Sequence, residues 1–256
     1  MNRFAAAWRT LRDNDGRRRL IAAAALLPWV ARARGEEPFT HERERMLDEI
    51  DEKMQLTAER TGHPRLAPRV HHAMARVPRH RFVPPEERRW AYADRALPIG
   101  GGQTISQPFV VALMTELLQP EPTDHVLEVG TGSGYQAAVL AECTARVFTI
   151  EIVRALGERA AALLAELGYR NVEVRIGDGY LGWPEAAPFD CVIVTAAPDH
   201  VPQPLIDQLK PGGRMVVPVG PRDLDQDLLL LTKDLAGRTV QESKIPVRFV
   251  PLIHGN

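Results

Sequence analysis

Asp124-His-Val-Leu-Glu-Val-Gly-Thr-Gly-Ser-Gly-Tyr135 is the stretch on which the reading of this chain turns. His125 to Val129 is a short apolar run of the kind that forms a buried strand. Three glycines follow on alternate positions, Gly130, Gly132 and Gly134, and a helical pattern then runs from Tyr135 to Glu142. Strand, glycine turn and helix in that order make a pocket for a nucleotide-like ligand. Glycine turns the backbone sharply and carries no Cβ to keep a ligand away. Spacing narrows the choice. A dinucleotide fingerprint needs its third glycine three positions after the second, where Tyr135 stands, and a phosphate-cradling P-loop needs a lysine that is absent. Glu128, two positions before the first glycine, puts a carboxylate where a phosphate is repelled and an amine or sulfonium attracted. S-adenosylmethionine, with an ammonium beside its sulfonium, suits that charge. The bland alternative is a turn that merely joins strand to helix.

Downstream of the elbow, strands and helices alternate. Arg146 to Glu151 reads as a strand, Val153 to Leu167 as a helix stopped by Gly168, and Val172 to Ile176 as a strand followed by Gly177-Asp178-Gly179. Phe189 to Thr195 reads as a strand buried on both faces, and Val201 to Leu209 as a short helix. Lys210-Pro-Gly-Gly213 reads as a turn into the strand Arg214 to Val219, and Leu228 to Lys233 with Thr239 to Ile245 as a terminal hairpin. Repeated strand–helix units predict an α/β, Rossmann-like, doubly wound and mostly parallel sheet with helices on both faces, a C-terminal antiparallel hairpin and ligands at the carboxyl strand ends. Glu151 closes the second strand 21 residues after Gly130, which suits two ribose hydroxyls. Asp178 after the third strand suits the adenine amino group, with the Gly179 backbone close to the ring. Asp190 reads as a structural turn acid. Each acid alone also fits a solvated strand end; together they favour an adenosine pocket.

Upstream, His41 to Arg60 reads as an amphipathic helix with Met46, Leu47, Ile50, Met54 and Leu56 at spacings near three and four, and Pro68 to Arg76 as a shorter one. His71 and His72 are adjacent, so they point about 100° apart on a helix, and no partner follows at ligand spacing; solvated histidines are expected and no metal. The proline- and arginine-rich run from Pro78 to Pro85 breaks the helical pattern. Leu97-Pro-Ile-Gly-Gly-Gly-Gln-Thr-Ile-Ser-Gln-Pro108 then predicts a shaped loop rather than a strand or helix. Phe109 to Leu118 resumes a helical period with Pro108 in its first turn, and Ser106 suits either a helix cap or a functional role.

The 256 residues allow one sizeable domain with appendages, and 45% apolar with 25% charged residues is ordinary for a soluble globule. A net charge of −1 argues against a nucleic-acid partner. That charge is uneven: residues 1–45 carry ten arginines and six acids. Arg17-Arg18-Arg19, the apolar run Leu20 to Val30 and Ala31-Arg32-Ala33 have the layout of a twin-arginine export signal or of a basic tail, and the run is shorter than the about 20 residues that span a bilayer. Stable membrane insertion is therefore not expected. Cys143 and Cys191 read as small buried apolar residues.

With these residues in hand, the chain resembles the protein-L-isoaspartate (D-aspartate) O-methyltransferase family over about Val70 to Ile253. Beyond the glycine motif the resemblance rests on Leu97 to Pro108, Val77-Pro-Arg-His-Arg-Phe-Val-Pro84, Val194-Thr-Ala-Ala-Pro198 and Val247-Arg-Phe-Val-Pro-Leu252. Residues 1–45 depart from it, as an extension absent from compact members. The resemblance implies methyl transfer from S-adenosyl-L-methionine to the free α-carboxylate of L-isoaspartyl residues, with D-aspartyl residues as a second class. The resulting ester closes to a succinimide, which begins repair of damaged peptides and proteins. It implies Ser106 as the active-site serine, holding the acceptor carboxylate rather than attacking as a nucleophile. Gln103, Thr104, Ile105 and Ser106 line the junction with the methyl donor, and Glu128, Gly130, Gly132, Gly134, Glu151, Asp178 and Gly179 bind it. The acceptor peptide is expected across Pro98 to Ser106 and Val247 to Leu252. The division expected is a basic extension (1–40), a helical and substrate-loop part (41–108) and a methyltransferase part (109–256), in a monomer. Because the donor is made in the cytosol, cytoplasm is the expected location and export the alternative. A methyltransferase for a small molecule or RNA, a nicotinamide oxidoreductase and a non-catalytic binding module are the competing readings.

Overall fold

A computed structural model describes residues 39–221 and 224–255. The expected export-type signal lies outside the described residues. From Phe39 onward the chain forms one compact unit. Helix α1 (Thr40–Thr61) buries Met46, Ile50 and Met54, four residues apart on one face, and stops at Gly62, whose N–H donates to the Ala58 carbonyl. Helix α2 (Pro68–Arg76) starts on a proline and buries Val70, Ala73 and Met74. Two short 3₁₀ turns, Arg79–Arg81 and Pro85–Trp90, take up the proline- and arginine-rich run.

The glycine-rich segment differs from its expected irregular loop. It is a two-stranded antiparallel hairpin, β1 (Leu97–Gly100) and β2 (Gln103–Ile105). Gly100, Gly101 and Gly102 have φ of 89°, 62° and 73°, the left-handed backbone that a tight hairpin turn requires. Strands of four and three residues are too short to show a period in the sequence, so only their turn was visible. Helix α3 (Pro108–Leu118) follows.

The main sheet is built from β3 (His125–Val129), helix α4 (Tyr135–Ala141), β4 (Arg146–Glu151), helix α5 (Arg154–Glu166), β5 (Val172–Ile176), β6 (Phe189–Val194), helix α6 (Gln203–Asp207), β7 (Leu209–Val219), β8 (Gln226–Lys233) and β9 (Thr239–Val247). Its seven strands lie in the order β5-β4-β3-β6-β7-β8-β9, parallel from β5 to β7 and antiparallel at β7/β8 and β8/β9. The largest departures from the expected bounds are in β7 and α6. Lys210 to Gly213 is not a turn before β7 but part of that strand; pairing with β6 jumps from Phe189↔Leu209 to Cys191↔Arg214, so the extra residues form a bulge. Helix α6 is five residues rather than nine, bounded by Pro202 and opened by Pro204, neither of which has an N–H to continue a helix.

Alternate strand residues face opposite layers. Val126, Val147, Cys191, Ile193 and Val216 pack with the apolar faces of α1 to α5, whereas Leu127, Val129, Phe148, Val192 and Val194 pack with Trp183 on the other side, where Leu205 of α6 sits. The strand order changes direction between β3 and β6, which opens a crevice at their carboxyl ends.

Candidate active site

The crevice is closed on one side by the glycine elbow. Gly130 has φ +102°, and a Cβ there would meet Thr195 Oγ1 at 2.5 Å, so glycine is what lets the ends of β3 and β6 approach. Thr195 donates its hydroxyl to the Gly130 carbonyl at 2.6 Å, and the Gly130 N–H donates to the Ile150 carbonyl of β4 at 2.8 Å. Gly132 donates its N–H to Glu151 Oε2 at 2.7 Å, and Glu151 Oε1 accepts from the Val153 N–H at 2.9 Å. Glu151 thus braces the elbow it faces while each of its oxygens keeps a further lone pair.

Glu128 is completely buried on β3. Its Oε2 accepts from the Thr149 hydroxyl at 2.6 Å, and Thr149 pairs with the Thr131 hydroxyl at 2.7 Å. Among the described residues Oε1 has no hydrogen-bond partner. Burial pushes this carboxyl up to about 8; the Thr149 bond opposes the rise and the neighbouring Glu151 charge adds to it. A buried carboxylate oxygen without a donor is costly, and a cation seated in the adjoining cavity removes that cost. The donor set therefore fits an ammonium and rejects a phosphate.

That cavity is lined by Gln103, Thr104, Ile105, Ser106, Glu128, Gly130, Gly132, Glu151 and Gly179, together with Thr195 and Val250. Two sequence-predicted residues do not line it. Gly134 packs beneath the elbow, where a Cβ would stand 3.3 Å from Ala160 and Leu164 of α5. Asp178 holds its own neighbourhood together: Oδ1 accepts from the Tyr180 N–H and Oδ2 from the Gly255 N–H, both at 2.9 Å. Gly179 lies so close to β3 that a Cβ would meet Val129 Cγ1 at 2.4 Å. Asp190 accepts from the His125 N–H and from Lys210 Nζ, a structural role as read from the sequence.

A second cavity, of about 540 Å³, adjoins the first and shares Thr104, Ser106, Thr195 and Val250 with it. Its other walls include Lys53 of α1, Phe109 of α3 and Ile245 to Phe249. Ser106, between β2 and α3, is therefore in the partition. It is not the helix cap. Gln107 occupies that position without a side-chain bond to the helix, and Asp94, its side chain 4% exposed, does the work: Oδ1 accepts from the Phe109 N–H at 2.8 Å, and Oδ2 from Gln107 Nε2 at 2.7 Å and from Lys53 Nζ. The Ser106 hydroxyl is left without a bond among the described residues, while its carbonyl accepts from Arg79 Nη2 at 2.7 Å. Among the described residues no histidine lines either cavity.

The far wall explains why two distant motifs occur together. The Ala197 N–H donates to the Val250 carbonyl and the Leu252 N–H to the Ala197 carbonyl, both at 2.8 Å, so the segment after β6 and the C-terminal segment pair as a parallel bridge. Buried Gln226 accepts from the Phe249 N–H at 2.8 Å and fixes the bend before it. Sequence reading missed Thr195, Thr149, Asp94, Arg79 and Gln226. Thr195 alone carried a signal, a hydroxyl at a strand end beside the expected switch point.

Comparison with known proteins points the same way. The family model described as protein-L-isoaspartate(D-aspartate) O-methyltransferase matches residues 52–256. A Syntrophobacter fumaroxidans protein named protein-L-isoaspartate O-methyltransferase 2 is 53% identical over 96% of this chain and 99% of its own length. A Gloeobacter violaceus protein-L-isoaspartate O-methyltransferase is 61% identical over 70% of this chain and 87% of its own. A solved protein-L-isoaspartate O-methyltransferase superposes with a TM-score of 0.70 at 31% identity, over 82% of this chain and 65% of that one. A beta-aspartate methyltransferase (PCMT) from Plasmodium falciparum, in complex with S-adenosyl-L-homocysteine, shares the fold with a TM-score of 0.69 at 22% identity, over 83% and 99% of the two chains. A crevice whose buried carboxylate suits a cation, a serine on its partition, a family model matched over residues 52–256 and a relative 53% identical over 99% of its length lead to one conclusion: this chain belongs to the protein-L-isoaspartate(D-aspartate) O-methyltransferase family.

Proposed function

We propose that the chain transfers a methyl group from S-adenosyl-L-methionine to the free α-carboxylate of isoaspartyl residues in peptides and proteins, and that Ser106 holds that carboxylate at the partition between the two cavities. The observation that carries this reading is the shared wall, with the unspent Ser106 hydroxyl in it. S-adenosylmethionine supplies a methyl carbon made electrophilic by the attached sulfonium. Glu128 takes the ammonium of the same molecule, Glu151 the ribose hydroxyls, and Gly179 on the cavity wall, with Asp178 behind it, the adenine edge. Asp178 already accepts two backbone N–H groups and has lone pairs left for an amino group.

The acceptor needs no base from the chain. An α-carboxyl has a pKa of about 3.5, so at neutral pH it arrives ionised. What the protein supplies is alignment and exclusion of water. The Ser106 hydroxyl donates to one carboxylate oxygen, and the backbone of Gln103 to Ile105 shapes the junction. Peptide backbone runs in the second cavity between α1 and the Val247–Leu252 segment, a mode that reads main chain and carboxylate rather than neighbouring side chains. In the methyl ester so formed the amide nitrogen of the isoaspartyl linkage attacks the ester carbonyl, methanol leaves with the amide proton, and the resulting succinimide hydrolyses to return part of the material as normal aspartate.

In this reading residues 41–108 are the helical and substrate-loop part and 109–256 the methyltransferase part, a division within one compact unit in which both parts contribute to both cavities. The protein acts as a monomer in the cytoplasm, where its co-substrate is made. No described helix is long and apolar enough to cross a membrane. Methanol release from an isoaspartyl hexapeptide, against the same peptide with a normal aspartyl bond, tests the activity; equal counts from both peptides would remove the substrate assignment. Fractionation with amino-terminal sequencing of the mature chain tests the location.

A further inference from the structure

Arg79 stands out among the polar residues that line neither cavity. It is completely buried at the start of the 3₁₀ turn Arg79–Arg81, and its hydrogen bonds run to carbonyls rather than to a carboxylate. Nε donates to the Ala91 carbonyl and Nη2 to the Ser106 carbonyl, each at 2.7 Å, and the guanidinium lies 4.7 Å from the ring centroid of Tyr135. Nη1 has no partner among the described residues. Tyr135 is the first residue of α4, directly after the glycine elbow.

Burying a cation is expensive, and a side chain kept only to fill space is better served by an apolar one of similar volume. Two charge-assisted bonds and an aromatic face offset part of that cost, and the fork gives them a fixed relative direction that a lysine ammonium lacks. Its three contacts belong to three separate segments: the end of the 3₁₀ stretch, the exit of the β1/β2 hairpin, and the helix that leaves the elbow. From the proposed role of Ser106, on which the inference rests, we infer that Arg79 is a positioning residue for methyl transfer. It ties the Ser106 backbone to the donor-binding elbow and so sets the direction in which the hydroxyl meets the acceptor carboxylate. Alignment errors of about 1 Å reduce rates by about 10²-fold, which makes such a tie matter to turnover more than to binding.

The test is Arg79→Lys, alone and combined with Ser106→Ala, measured for melting temperature, S-adenosylmethionine affinity by calorimetry, and kcat and KM on an isoaspartyl hexapeptide. Expected for Arg79→Lys is a folded protein with donor affinity within about three-fold and kcat reduced at least about ten-fold, larger than any change in KM. Combined with Ser106→Ala, the same change should cost less than about two-fold more, because the residue acts through the serine. Wild-type kcat in Arg79→Lys, or an equal fold-loss in both backgrounds, would overturn the inference and leave the role of Ser106 standing. Wild-type turnover in Ser106→Ala would overturn that role and the inference with it. Should Arg79→Lys fail to fold, Tyr135→Leu, which removes the ring beneath the guanidinium together with its contact to Phe82 and its part of the donor-cavity wall, should show at saturating donor a smaller kcat loss that again vanishes in the Ser106→Ala background. An additive loss there would sink the idea.

Discussion

The two cavities that meet at Ser106 are held by bonds of different reach. On the donor side the acids of β3 and β4 are braced from the next strand or the same turn. Glu128 is directly opposite Thr149 in the β3/β4 register, and Glu151 accepts from Gly132 and Val153. On the acceptor side almost every brace comes from far along the chain. Arg79 holds the Ser106 carbonyl, Asp94 ties the start of α3 to Lys53 of α1, Arg159 of α5 donates to the Ile99 carbonyl of the hairpin at 2.7 Å, and Gln226 fixes Phe249. The lesson is that strand register directly braces Glu128 and Glu151, whereas Ser106 and the walls around it are set by the docking of helices, hairpin and C-terminal segment. Changes on the donor side should therefore act on cofactor affinity, and changes on the acceptor side on turnover.

The sharpest way to break that distinction is Ser106→Ala. It should lower kcat by about 10²-fold, the scale of losing one well-placed donor, while S-adenosylmethionine affinity stays within about three-fold; calorimetry beside single-turnover rates reads both. Gly130→Ala should do the opposite. Its Cβ would strike Thr195 and the backbone is left-handed there, so cofactor affinity should fall at least about ten-fold and stability by about 1–3 kcal/mol, read by calorimetry and denaturant melts.

Asp94→Asn on the acceptor side replaces a carboxylate that accepts from three donors with an amide. Stability should fall by about 1–3 kcal/mol and KM for the peptide should rise, with donor affinity unchanged.

Glu128 sharpens the comparison through pH. Its folded value of about 8 is raised from 4.5, so between those values the folded chain binds more protons than the unfolded one. Without ligand, the stability contribution of this group is therefore present below pH 4.5 and is lost as pH rises toward 8. A bound ammonium favours the ionised carboxylate, so donor affinity should increase from pH 5.5 to 7 with release of a proton, and Glu128→Gln should flatten both trends. Affinity that is flat with pH in the wild type would detach Glu128 from the ammonium. The smallest effect belongs to the C-terminal segment. His254 stacks on Tyr180 with ring centroids 3.8 Å apart while Gly255 bonds to Asp178, and His254→Ala should alter donor affinity by no more than about three-fold.

Legibility in the sequence follows the same divide. Strands β3 to β6 and helix α5 were readable within a residue or so of their bounds, because the buried stretches of β3, β4 and β6 are dominated by apolar residues and the edge strand β5 alternates apolar with charged residues. Glu128 and Glu151 were readable as acids at strand ends. The β1/β2 hairpin was not, since its strands are too short to alternate visibly, and neither was the bulge at Lys210 to Gly213, where a turn-like tetrapeptide is overridden by pairing with β6. Nor did any local pattern separate a capping Ser106 from a functional one.

The order of apolar runs, the glycine spacing and the acids closing the strands are local patterns, and they determined the sheet, the position of the crevice and the charge of what it takes. Which residues brace the acceptor side was decided by the tertiary structure. A carboxylate such as Asp94 or a cation such as Arg79 shows its role only through partners 12 to 41 residues away. Those contacts arise from docking, on which no periodicity in the chain reports. The Ser106 hydroxyl is available because Asp94 meets the helix's need for a cap instead.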